Sequence, residues 1–152
     1  MDGKYVILEL IPEAKTPDKG NLVQLSALKL NRLELIDRFD YRLDINKVTN
    51  PYVKEMVKYD VESFNYVDSS KKILSEFKKF IGKLDLVIID NDYTNNYLSE
   101  IKNKKVSISQ LLNMDYSDEF IDEVIKKYNL EPSNYIVDLL YEALIYESNN
   151  KN

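Results

Sequence analysis

Apolar residues run unbroken through Tyr5-Val6-Ile7-Leu8, pause at Glu9 and resume at Leu10-Ile11. An unalternated run of this kind suits a strand covered on both faces of a sheet. The stretch from Asn21 to Asn31 behaves differently, with Leu22, Gln24 and Ser26 set against Val23, Leu25 and Ala27. A third stretch, Leu33 to Leu43, places Arg38, Asp40 and Arg42 opposite Phe39, Tyr41 and Leu43. These periods of two predict three strands in an antiparallel meander. Pro12, Pro17, Asp18 and Gly20 form the densest cluster of breakers and mark its first turn. Glu9 raises a question, because an ionised carboxylate inside such a sheet costs several kcal/mol or more unless something offsets it. Either it reaches the sheet's edge and solvent, or it is the remnant of a site.

Beyond Leu43 the period changes. From Val48 to Tyr66 the pattern blurs, consistent with short helical pieces in a long connection. Ile73, Leu74, Phe77, Phe80 and Ile81 then form one helical stripe, with Asp68 or Ser69 placed to cap its start and Gly82 to end it. "LDLVIID" predicts a further buried strand, Thr94 to Lys102 a short helix, and "KKVSISQLL" a brief strand or turn. Phe120, Ile121, Val124, Ile125 and Tyr128 share one face of another helix. The last helix is expected to open at Pro132 and to turn Ile136, Leu139, Leu140, Ala143 and Leu144 inward. The order predicts an α/β fold on one five-stranded mixed sheet flanked by helices, a single domain over residues 1–147 and a frayed polar tail over 148–152.

Composition narrows the chemistry. The chain has 152 residues, no cysteine and no histidine, so disulfides, thiolate zinc sites and the commonest general base are excluded. A formal net charge of −5 argues against a sequence-independent grip on nucleic acid. Lys71-Lys72 with Lys78-Lys79, and Lys102 with Lys104-Lys105, are the basic clusters, and both read as solvated helix faces. With no long apolar span and no signal-peptide pattern after Met1, the expectation is a cytoplasmic protein that does not enter a membrane.

Six stretches, taken in order, resemble the proofreading 3′–5′ exonucleases of the DEDD superfamily, which have an RNase H-like fold. They are "VILELIPEA", "LVQLSALKLN", "NPYVKEMVKYDVESF", "ILSEFKKFIG", "LVIIDNDYTNNYL" and "PSNYIVDLLYEALIY". The resemblance implies an RNase H-like sheet and a site where four carboxylates hold two divalent metals that cut a terminal phosphodiester, assisted by a histidine or tyrosine base. Carried over residue by residue, the first acid falls on Glu9, the second on Ile11, the third on Thr94 with Tyr93 as the accompanying aromatic, the base on Ser133 and the last acid on Asp138. Only Glu9 and Asp138 keep a carboxylate, which implies one weakly held magnesium or manganese ion at most, with no cofactor expected.

Alternatives stand beside these assignments. Asp90 and Asp92 can replace the missing acids after a shift of register, or "DNDYTNN" is simply a strand-to-helix turn that caps its helix. Asp138 can equally be an exposed residue of an amphipathic helix. Tyr93, Tyr97 and Tyr135 can stack bases near a cleft or pack in the core. The expected function is a degenerate exonuclease-like domain that binds a protein partner, with weak nucleic-acid binding and a homodimer both open. A divergent metal-dependent nuclease, and an acidic protein of a phage or mobile element that blocks a nucleic-acid-binding partner, are the alternatives.

Overall fold

The computed structural model describes residues 3–59, 61–133 and 135–150. Its first strand, β1 (Lys4–Pro12), pairs antiparallel with β2 (Leu22–Asn31), which pairs antiparallel with β3 (Glu34–Leu43). The meander predicted from alternation is therefore present. A 3₁₀ turn (Ile45–Lys47) and α1 (Pro51–Met56) occupy the blurred connection, with Asn50 accepting from the amides of Tyr52 and Val53 to cap the helix. Next come β4 (Asn65–Val67), α2 (Ser70–Ile81), β5 (Asp85–Ile88), α3 (Asp92–Tyr97), β6 (Lys105–Ser107), α4 (Ile108–Leu111), α5 (Phe120–Tyr128) and α6 (Ile136–Asn150).

The sheet has six strands in the order β4-β3-β2-β1-β5-β6, one more than expected. The additional strand, β4, pairs parallel with the end of β3 through Tyr41, Arg42 and Leu43. Three residues are too few to show a period of two, which is why the pattern conceals it. β5 lies parallel to β1, and β6 parallel to β5.

β1 is central and covered on both faces, as its unalternated run requires. Val6, Leu8, Phe39 and Leu86 face a core completed by Ile73, Phe77 and Ile81 of α2 and by Tyr97 of α3. Tyr5, Ile7, Leu28 and Val87 face the other core, where Phe120 and Val124 of α5 and Val137, Leu140 and Ala143 of α6 pack. In α2, Ser69 accepts from the Lys72 amide and Gly82 closes the helix at φ 52°.

Two helices, α3 and α6, differ from the expectation at both ends. α3 covers Asp92–Tyr97 rather than Thr94 to Lys102, because the Asn91 side chain accepts from the Thr94 amide and starts the helix earlier. α6 begins at Ile136 rather than Pro132; before it, Ser133 Oγ accepts from the Tyr135 amide in a local turn. The same helix continues through Asn150, so the polar tail is helical up to that point, and its last two residues lie outside the described ones. Among the described residues no helix is long and apolar enough to cross a membrane.

Candidate functional site

Cross-strand register turns the sheet face beneath α6 into rows. Ile7, Leu28 and Arg38 make one; Glu9, Ser26 and Asp40 the next; Ile11, Gln24 and Arg42 the third. The first row still belongs largely to the core, and the other two form a polar floor at the C-terminal end of β1. Paired residues on adjacent strands stand about 5 Å apart at Cβ, so the side chains within a row are neighbours.

The middle row is buried, with Glu9 at 8%, Ser26 at 2% and Asp40 at 5% exposure. Glu9 therefore does not reach solvent at an edge. Among the described residues no hydrogen bond or ion pair holds its carboxyl, and burial followed by repulsion from Asp40 pushes its pKa up to about 7. Ser26 Oγ and Asp40 Oδ1 are buried without partners as well. A protonated Glu9 is the form this environment favours, since the neutral acid loses less on leaving water and escapes the repulsion.

Arg38 organises the next charges. Its Nε donates to Asp40 Oδ2 at 2.6 Å, and its Nη1 and Nη2 donate to Asp138 Oδ1 and Oδ2 at 2.9 and 3.0 Å. This is a two-pronged guanidinium–carboxylate pair across elements a hundred residues apart in sequence. The bonds to Asp138, and then those to Asp40, raise the guanidinium's pKa still further. Asp138 is thus neither a free ligand nor an idle surface acid.

In the third row Arg42 is also buried. Its Nε and Nη2 donate to Gln24 Oε1 at 2.9 and 2.6 Å, and its Nη1 donates to the Tyr59 carbonyl at 2.9 Å. Arg42 and Ile11 line one cavity, of 360 Å³, together with Gln24, Tyr59 and Tyr135.

The other sequence-derived residues lie elsewhere or are already engaged. Thr94 is buried, and its amide serves the α3 cap. Asp90 accepts from Asn95 Nδ2 at 2.7 Å, and Asp92 pairs with Lys15 at 3.4 Å on the surface. The residue that caps α3 is Asn91, between them. Tyr93 is exposed, whereas Tyr97 is buried with its hydroxyl 2.8 Å from the Gly20 carbonyl and 3.1 Å from that of Thr16. It ties the β1–β2 loop to α3 and packs in the core. Ser133 is exposed in its turn before α6.

The residues present do not fit the pair of divalent metals that the resemblance implies. Among the described residues no three acidic, histidine or cysteine side chains come together in a way that could hold a metal ion. The last acid is bonded to a fixed cation, and the first is held toward its neutral form. Sequence reasoning missed Ser26, Arg38, Asp40, Arg42 and Gln24; the signal available was polar alternation on two strands adjacent to the one carrying Glu9. It also missed Glu13, whose buried carboxyl accepts from the Thr49, Asn21 and Asn50 amides and fastens the loop after β1 to the loop before α1.

No family model matches the chain, and no curated protein matches its sequence. Solved structures do match in fold. One is exonuclease I of E. coli in a zinc-bound complex with single-stranded DNA, at a TM-score of 0.54 and 10% identity over 97% of this chain and 40% of that one. A second is the exonuclease I structure described as suggesting how processivity is achieved, at 0.62 and 8% over 99% and 41%. The product-bound form of exonuclease I matches at 0.57 and 10% over 98% and 43%. The chain spans about two fifths of the length of these exonuclease I chains. At such identities the likeness concerns architecture: the chain has the RNase H-like α/β fold of exonuclease I.

Proposed function

We propose that this chain is an exonuclease-shaped domain that acts by binding rather than by two-metal phosphodiester hydrolysis. The observation that carries the reading is the two-pronged bond from Arg38 to Asp138, at 2.9 and 3.0 Å. A carboxylate that has surrendered both oxygens to a guanidinium is a poor ligand for a hard cation, and the guanidinium's own charge repels one. Ile11 and Thr94 at two acid positions, Ser133 at the base position and a Glu9 near neutrality support the same reading. The partner we propose is a protein, with nucleic acid a weaker ligand because of the net charge of −5.

The test is to incubate the purified chain with magnesium or manganese and end-labelled single-stranded DNA or RNA. The expected outcome is an unshortened substrate. Trimming that disappears in Glu9→Ala would establish a divergent nuclease instead and overturn the proposal.

A further inference from the structure

We infer that the cavity beside Arg42 is a binding site for a small organic anion, a carboxylate or phosphate carried on an apolar body. Arg42 is 8% exposed, yet its partners among the described residues are all neutral: Gln24 Oε1, the Tyr59 carbonyl and the Phe64 ring, whose centroid is 4.5 Å away. Among the described residues no carboxylate pairs with it. Arg38, four positions earlier on β3, shows the contrast by binding two carboxylates. A buried cation without a counter-ion is costly, so an anion arriving from solution gains what the described residues leave unsupplied.

A guanidinium carries five N–H donors, and the bonds above use three of them. The remaining donors suit an oxyanion, which the planar fork can grip in two places. The 360 Å³ cavity has room for such a group with a ring or short aliphatic body against Ile11, Val57, Tyr59 and Tyr135. Apolar walls with a few fixed polar groups are the usual make-up of a small-molecule site. Ile11 matters twice: it supplies wall, and a carboxylate in its place would neutralise Arg42 across Gln24, its partner in the register. The inference holds whether or not the chain hydrolyses nucleic acid, because it concerns binding at Arg42 alone.

The test is a titration of the full chain followed by amide resonances of Tyr59, Val61 and Tyr135, using phenyl phosphate, benzoate, neutral benzamide and inorganic phosphate as probes. Saturable shifts are expected with phenyl phosphate or benzoate, the preferred one of the two identifying the oxyanion. Benzamide and inorganic phosphate should each bind roughly tenfold more weakly, having lost the charge or the body. Ile11→Glu should weaken the preferred probe by roughly tenfold or more while keeping a dispersed spectrum, since it leaves the bonds of Arg42 in place. Absence of saturable shifts, equal binding of benzamide or inorganic phosphate, or unchanged affinity in Ile11→Glu overturns the assignment.

Discussion

Arg38 stands between two carboxylates, one of them buried, and its side chain fixes what the floor of the cleft can attract. Replacing it by alanine leaves Asp40 buried without a counter-charge and Asp138 without its bidentate partner. The expected cost is about 3 kcal/mol, read from urea unfolding of Arg38→Ala against the native chain. If the guanidinium is what excludes cations here, millimolar manganese should raise the melting temperature of Arg38→Ala and leave that of the native chain unchanged. Equal shifts in both proteins would mean that these acids bind manganese despite Arg38. The sequence makes Glu9 legible because a lone carboxylate in an apolar run has no local explanation. It does not make Arg38 legible: within "DRFDYRL" an arginine alternating with aromatics reads as an ordinary outward-facing residue. Only the registers of β2 and β3, together with the placement of α6, turn it toward Asp138.

At the scale of elements, α2 separates what local chemistry specifies from what the tertiary fold adds. Ser69 accepts from the Lys72 amide at 3.2 Å, so Ser69→Ala should cost about 1 kcal/mol, an ordinary loss of an N-cap. Its neighbour Ser70 does something the sequence does not disclose. Its hydroxyl accepts from the Leu22 amide at 2.8 Å, joining the first turn of α2 to the start of β2. Ser70→Ala strands that amide, and the expected loss is the larger of the two, about 2 kcal/mol, measurable by denaturant midpoint with Ser69→Ala as reference. The same division explains which elements were legible. The meander, α2 and α5 have periods long enough to read, whereas β4 and β6 are three residues each and depend on the strands beside them. The late start of α6 follows from the turn around Ser133, which displaced the simpler expectation of proline at the first helical position.

For the molecule as a whole, two buried carboxylates, Glu9 within β1 and Glu13 just after it, give opposing pH dependences. Burial pushes the Glu13 carboxyl up, but donors from Thr49, Asn21 and Asn50 outweigh it and leave the pKa lowered. Its contribution is therefore present above the ordinary carboxylate range and lost as the pH falls below it. Glu9 behaves in the opposite sense, because its folded pKa of about 7 lies above the ordinary 4.5. The folded state keeps a proton that the unfolded chain releases, so this contribution is full below pH 4.5 and is lost as the pH rises through 7. Stability should accordingly peak in mildly acidic solution and decline toward a plateau above neutrality, the decline amounting to about 3 kcal/mol. The absence of histidine makes the measurement clean, since apart from the terminal amine no group with an ordinary pKa titrates in that window. Urea unfolding from pH 5 to pH 8 should show the fall in the native chain and not in Glu9→Gln, whose neutral amide keeps the favoured charge state throughout. The variant should match the native chain near the acidic maximum and exceed it by about 3 kcal/mol at pH 8. Native stability that is flat or rising across this range would mean that Glu9 is not confined beside Asp40 on a dry floor.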